Sequence, residues 1–110
     1  MNLTKEECRQ LHLLREMLAN NPTGRHDTKD LIKFTGMGST KLNNSFRFLF
    51  QVSIGEFKAH QAMCYADKLL QSGVRIKEVA LRLGYSNTSS FTRAYHRIKG
   101  AVPSDCTAQK

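Results

Sequence analysis

The chain has 110 residues, 40% of them hydrophobic, which suffices for one small domain or two very small lobes with a modest core. Its net charge is +8, a balance that favours anionic partners. No apolar run approaches the roughly 20 residues that cross a membrane, and no signal-peptide segment is visible. The three cysteines are far apart and lack zinc-ligand spacing, so we expect a reducing compartment, no metal site and no cofactor.

Two helices are predicted at the start of the chain. Thr4 and Glu7 make a capping-box pattern, which starts a helix that ends near Asn20. Asp27 is the expected N-cap of a second helix, because its short polar side chain can accept hydrogen bonds from the first free amides. Gly36 ends this second helix and supplies the turn that follows.

A third amphipathic helix is predicted over about residues 39–50. Ser53 and Glu56 then form another capping box, which opens a longer helix that closes at Ser72 and Gly73. About 18 residues at 1.5 Å each give this linker helix a length of about 27 Å. The third helix turns Leu42, Phe46 and Leu49 inward and leaves Ser39, Thr40, Asn43, Asn44 and Arg47 outward.

The last third of the chain carries similar elements. A short helix is predicted over residues 76–83, followed by a turn at Gly84 and an N-cap at Asn87. A final helix over residues 88–99 is ended by Gly100. It turns Phe91, Tyr95 and Ile98 inward and leaves Thr88, Ser89, Thr92, Arg93 and His96 outward.

These two stretches are copies of one pattern. Leu31-Ile32-x3-Gly36-Met37 matches Val79-Ala80-x3-Gly84-Tyr85 at an offset of 48, and the helices that follow match at an offset of 49. Each copy has the layout of a helix-turn-helix: a short helix, a glycine turn and a second amphipathic helix. We therefore predict an all-α protein of about seven helices, with an N-terminal helix-turn-helix lobe at 1–52, a linker helix at 53–72 and a C-terminal lobe at 73–110.

The carboxylates avoid both copies. No Asp or Glu occurs over residues 31–55 or 79–104, and all nine lie outside these two windows. We expect that a polyanion could approach both second helices without meeting a like charge. The alternative is a pair of ordinary solvated faces, since charge runs alone are weak evidence.

The outward side chains suit the reading of DNA. In a helix-turn-helix the second helix enters the major groove, where Asn pairs with adenine, Arg with guanine, and Thr methyls contact thymine. Arg93 is the strongest candidate for base specificity. The linker helix, with the bodies of the two lobes, could hold the second helices one DNA turn apart, about 34 Å. The predicted phosphate contacts are Ser39, Lys41, His96, Arg97 and Lys99.

Residues 76–100, with Pro103 and Ser104, resemble the DNA-binding domain of AraC-type transcriptional regulators, and residues 31–70 resemble it more weakly. The resemblance covers about residues 8–104. It implies a seven-helix, two-lobed fold and transcription control in the bacterial cytoplasm, at the nucleoid, usually as activation with RNA polymerase contact. It places base-reading positions on Thr40, Asn43, Asn44, Arg47, Thr88, Ser89, Thr92 and Arg93.

The chain departs from the family at four positions. The family often has Ala at Ile32, Arg at Asn44, Gly at Gln51 and Arg at Ala62. Losing an arginine at Asn44 removes a strong guanine reader from the first lobe, so the second lobe should carry more specificity. Residues 11–18 look like a subgroup associated with siderophore-responsive regulation, whose members carry a sensor domain. We therefore expect a sensor domain outside this sequence, although a stand-alone protein would also fit.

Three functions compete at this point. A sequence-specific transcription regulator would bind a promoter site with two half-sites about one turn apart, with a high ratio between cognate and random duplex. An architectural or nonspecific nucleic-acid binder would show a steep salt dependence without sequence preference. A helical module for an acidic protein would bind that protein and not DNA. An enzyme is not expected, because none of the four histidines lies beside a recognisable nucleophile and no phosphate-binding glycine loop occurs.

Overall fold

The computed structural model describes residues 2–23 and 27–103. Within these ranges the chain forms six α-helices and no strand, which confirms the all-α prediction with one helix fewer than the expected seven. Ser104 and Cys106 lie outside the described residues. The helices are α1 (Lys5–Asn20), α2 (Thr28–Thr35), α3 (Ser39–Phe50), α4 (Ile54–Gln71), α5 (Ile76–Arg82) and α6 (Thr88–Lys99).

The chain divides into two units, unit 1 (Met1–Lys58) and unit 2 (Ala59–Lys110), with the boundary inside α4. Each unit has its own hydrophobic core. The separate linker segment at 53–72 stays a prediction. In the structure α4 contributes Ile54 to the core of unit 1 and Met63 to the core of unit 2.

Side-chain caps start the first two helices where the sequence predicts them. The Glu7 amide donates to the Thr4 hydroxyl at 3.0 Å, and the Glu7 carboxylate accepts from the Thr4 amide at 3.0 Å. Asp27 and Asp30 make the same reciprocal pair at the start of α2. Each cap satisfies amides that the helix itself leaves without partners, so it fixes the residue at which the helix begins.

The core of unit 1 is built on one apolar stripe of α1, with Leu11, Leu14 and Leu18 buried at helical spacing. Phe46 of α3 is fully buried in the same core, and its ring makes edge contacts with the rings of Phe50 and Phe57. The remaining buried members of this core are Leu31, Met37, Leu42 and Ile54.

The core of unit 2 uses α4 as unit 1 uses α1. Met63, Ala66 and Leu70 are buried with the spacing of Leu11, Leu14 and Leu18, at a constant offset of 52 residues. The equivalent helices of the two units can therefore be compared residue by residue. The other buried members are Val79, Ala80, Phe91 and Tyr95.

Candidate nucleic-acid interface

The first helix-turn-helix joins α2 to α3 through a three-residue turn. Gly36 adopts the left-handed conformation, with φ of 71°, and its amide donates to Ile32 O at 2.7 Å. The buried Thr35 hydroxyl donates to Leu31 O at 2.9 Å and accepts from the Met37 amide at 3.2 Å. Met37 is itself buried, so the Thr35 hydrogen bonds and the packing of Met37 together hold the turn. The turn in this way fixes where α3 begins.

The second helix-turn-helix joins α5 to α6 and has a longer turn. Gly84 again has a positive φ, 88°, and the Tyr85 amide donates to Ala80 O at 3.0 Å. The Tyr85 ring packs on Phe91 with centroids 5.7 Å apart, and burial raises the pKa of the Tyr85 hydroxyl. The Asn87 side chain accepts from the Ser90 amide at 2.8 Å, so the predicted N-cap of α6 is present.

Both second helices, α3 and α6, present the predicted polar residues on their outer faces. Thr92 is half-buried, and so is Lys99. Which of these side chains contact bases or phosphates stays a prediction. The exposed members of the set are Ser39, Thr40, Lys41, Asn43, Asn44, Arg47, Thr88, Ser89, Arg93, His96 and Arg97.

Two carboxylates lie against the cations of α3. Lys41 Nζ is 2.5 Å from a carboxylate oxygen of Glu7 in α1, and Arg47 Nη2 is 3.8 Å from Glu56 in α4. The hydrogen bond from Lys41 is the main cause that lowers the pKa of Glu7, which is therefore ionised near neutral pH. The expectation that a polyanion meets no like charge is wrong for this helix, because residues distant in the sequence bring acids beside it.

The outer face of α6 keeps its charge. Among the described residues, no carboxylate pairs with Arg93 or Arg97. Asp67 does pair with Lys99, with Nζ 2.9 Å from Oδ2, at the half-buried side of the helix. Arg93 and Arg97 can therefore meet an anion without first leaving a carboxylate of the described residues.

Comparison with known proteins identifies this arrangement. A sequence profile described as a helix-turn-helix domain matches residues 31–109. The chain is 31% identical over 99 residues to the HTH-type transcriptional regulator RipA of Corynebacterium glutamicum, covering 90% of this chain and 30% of RipA. The crystal structure of a probable AraC family transcriptional regulator from Rhodopseudomonas palustris matches with a TM-score of 0.81 at 22% identity, covering 92% of this chain and 96% of that one. The chain belongs to the AraC-type helix-turn-helix family.

The AraC-type fold extends over nearly the whole chain. The DNA-binding domain of AdpA, solved in complex with a target DNA, matches with a TM-score of 0.79 at 20% identity and covers 91% of each chain. At such identities the two structures show the fold alone. The chain spans about 30% of the length of RipA, one of its curated relatives.

One departure from the AraC-type pattern has a visible structural consequence. Gln51 follows α3 with φ of 65°, and it is the only non-glycine residue with a positive φ in the part of the chain that the structure describes. Its counterpart after α6 is Gly100, with φ of 77°. The side chain that replaces the family glycine therefore sits in a conformation that favours glycine. The other departures are the half-buried Ile32 and Ala62 and the exposed Asn44.

Sequence reasoning missed three acidic residues of this AraC-type domain. Glu7 and Glu56 are predicted only as helix-capping residues, and Asp67 only as part of the resemblance, yet all three contact cations of α3 or α6. At the offset of 52 Asp67 takes the place of Arg15, but Glu6/Lys58 and Glu16/Lys68 reverse charge as well, so the comparison of α1 with α4 would not have distinguished Asp67. Glu7 and Glu56 correspond to each other at the offset of 49, as their capping partners Thr4 and Ser53 do, but this relation predicts only the capping role.

The described residues contain no group of three His, Cys, Asp or Glu side chains that could hold a metal ion. Cys8 and Cys64 are half-buried free thiols. None of the described helices has the length and apolar character that a membrane crossing requires.

Proposed function

We propose that this chain is the DNA-binding part of a bacterial transcription regulator that inserts α3 and α6 into adjacent major grooves of one duplex. The observation that carries the proposal is the repeated helix-turn-helix, which presents Thr and Arg side chains on both second helices and exposed Asn side chains on α3. These are the side chains that pair with adenine, thymine and guanine edges. The target is a site of two half-sites about one helical turn apart, about 34 Å.

Specific roles follow for the polar residues of α3 and α6. Arg93 reads guanine, and Asn43 and Asn44 read adenine. The remaining base contacts come from Thr40, Arg47, Thr88, Ser89 and Thr92. Phosphates are bound by Ser39, Lys41, His96 and Arg97, although Lys41 must first leave its carboxylate partner.

The comparison with RipA extends this proposal beyond the DNA-binding part. RipA is described as a transcriptional regulator, and the chain matches only 30% of it. By analogy we propose a sensor domain outside this sequence, contact with RNA polymerase, and residence in the bacterial cytoplasm at the nucleoid. No catalytic step forms part of the proposal.

Selection from a random duplex pool, followed by sequencing, tests the function directly. The expected result is an enriched motif with two half-sites, bound about 10³-fold or more tightly than random duplex at the same salt concentration. Binding with a steep salt slope and no enriched motif would favour the architectural alternative instead. Salt-sensitive binding to an acidic protein, with no binding to DNA, would favour the interaction module.

A charge-matched pair of variants separates base reading from charge. Arg93→Gln and Lys29→Gln each remove one positive charge from an exposed position, and only Arg93 lies on a second helix. We expect Arg93→Gln to weaken binding to the selected motif and to relax its sequence at one base pair, whereas Lys29→Gln leaves the motif unchanged. Equal effects of both variants would contradict base reading by Arg93.

A further inference from the structure

Asp67 of α4 lies between two residues of α6. The buried Tyr95 hydroxyl donates a hydrogen bond to Oδ1 of Asp67, and Lys99 Nζ is 2.9 Å from Oδ2. The side chain of Asp67 is 19% exposed and that of Lys99 is 26% exposed. Both oxygens of one largely desolvated carboxylate are thus used by a single helix, at positions four residues apart, which share one ridge of that helix.

The equivalent place in unit 1 holds the same kind of link with different chemistry. Asp67 corresponds to Arg15 at the offset of 52, and Lys99 corresponds to Phe50 at the offset of 49. The Arg15 guanidinium carbon lies 5.2 Å from the centroid of the Phe50 ring. In both units, therefore, a charged residue contacts the last turn of the helix that carries the predicted base-reading residues. This charged residue lies on α1 in unit 1 and on α4 in unit 2.

The contacts of Asp67 with Tyr95 and Lys99 bear on which face of α6 points outward. Successive helix residues are rotated by about 100°, so Arg93, two positions before Tyr95, points about 160° away from it. A carboxylate that holds both Tyr95 and Lys99 fixes the rotation of α6 about its axis. A loss of either contact would let the face that carries Arg93 turn relative to its own unit.

We propose that Asp67 is a positioning residue for DNA reading, which sets the rotation of α6 and keeps Lys99 within the fold and away from phosphate. This inference rests on the proposed function. Exposed ion pairs are screened by salt, but a pair that is largely withdrawn from water and joined by a hydrogen bond to the carboxylate is screened less. Lys99 therefore contributes nothing to the salt dependence of DNA binding, in contrast to the earlier assignment of Lys99 as a phosphate contact.

Salt slopes separate Lys99 from a true phosphate contact. Arg97→Gln and Lys99→Gln each remove one positive charge from α6. We expect Arg97→Gln to reduce the slope of log K against log salt by about 0.9, the value for one phosphate contact, and Lys99→Gln to leave it unchanged. A slope reduced equally by both variants would show that Lys99 binds phosphate and would overturn the proposal.

Sequence discrimination tests the positioning itself. Asp67→Asn removes the ion pair but keeps an acceptor for the Tyr95 hydroxyl, and Tyr95→Phe keeps the ring but removes the hydrogen bond. We expect each to lower the preference for the base pair that Arg93 reads by about three- to ten-fold, part of what a bidentate contact supplies. Lys99→Arg, which retains the charge, should keep the wild-type preference. Unchanged discrimination in both Asp67→Asn and Tyr95→Phe would contradict the role.

A DNA-free measurement keeps this proposal distinct from the function on which it rests. Thermal midpoints of Asp67→Ala, Tyr95→Phe and the double variant form a cycle, in which coupled residues give a double loss smaller than the sum of the single losses. Additive losses would contradict the contact of Asp67 with Tyr95 of α6, whether or not the chain binds DNA. If the losses of the variants are coupled but the wild-type chain shows no DNA sequence preference, the contact of Asp67 with α6 stands. Both the proposed function and the DNA-reading role of Asp67 would then be overturned.

Discussion

Units 1 and 2 are built on the same repeat, but their acidic side chains lie in different places relative to the helix interface. In unit 1 the helix interface is aromatic, with Phe46 buried among other rings, and the acids lie outside against Lys41 and Arg47. In unit 2 an acid, Asp67, lies inside the interface, and the outer face of α6 carries Arg93 without a carboxylate partner among the described residues.

Under the proposed function, this difference would give the two second helices unequal strength in DNA binding. A duplex that approaches α3 meets cations already paired with carboxylates, so each new phosphate contact is offset by a lost ion pair. A duplex that approaches α6 meets arginines that pair with no carboxylate in the described part of the chain. The same number of basic residues can therefore contribute differently to affinity, depending on where the packing places the acids.

The largest expected effect concerns the aromatic interface of unit 1. Phe46→Ala should cost about 3–5 kcal/mol of unfolding free energy, because it empties a fully buried site of a ring that packs on other rings. Phe48→Ala is the matched control, since it makes the same chemical change on the same helix at a side chain that is 51% exposed. Urea unfolding followed by far-UV circular dichroism measures both. Similar losses would show that the buried ring does not dominate unit 1.

Equivalent positions on α3 and α6 give the next largest effect. Asn44 and Arg93 correspond at the offset of 49, and both are exposed. Arg93→Ala should lower discrimination between the selected site and a site with one substituted base pair by about ten- to a hundred-fold, as expected for a bidentate guanine contact. Asn44→Ala should lose less. Competition binding at fixed salt measures the ratio, and equal losses would remove the proposed asymmetry between the two helices.

A smaller effect tests whether Glu7 weakens α3. Glu7→Gln releases Lys41, so affinity for random duplex should rise by about two- to five-fold and the salt slope should steepen by up to about 0.9. Glu16→Gln, at an exposed position of the same helix, is the charge-matched control. Fluorescence anisotropy over a salt series measures both quantities. Equal gains in the two variants would assign the effect to net charge instead of the Lys41 pair.

The pH dependence of this pair has a definite sign. Lys41 lowers the pKa of Glu7 below its ordinary value of 4.5 in the folded chain. The stabilisation is therefore fully present above the unfolded pKa and is lost as pH falls through the lowered, folded one. Between neutral pH and the unfolded pKa, the wild-type chain and Glu7→Gln should consequently differ in DNA affinity by a constant factor.

The helices follow from the sequence because their causes are local. The caps at Thr4, Asp27 and Asn87 and the turns at Gly36 and Gly84 are decided by neighbouring residues, and the structure places them as predicted. The outward positions of α3 and α6 follow from helical periodicity. The pairing of charges does not, because residues 34 and 32 positions apart meet in Glu7–Lys41 and Asp67–Lys99 only after the helices have packed.

The smallest expected effect lies at the end of α3, where unit 1 lacks the glycine that ends α6. Gln51→Gly should stabilise the chain by about 0.5–1 kcal/mol, because relief of the left-handed strain exceeds the added entropy of an unfolded glycine. The side chain also donates to Phe48 O at 2.9 Å, so part of the gain is offset. Gln51→Ala removes that hydrogen bond but keeps the Cβ, and it should stabilise nothing. A gain in Gln51→Ala equal to that in Gln51→Gly, measured by thermal unfolding, would show that backbone strain is not what distinguishes the two helix ends.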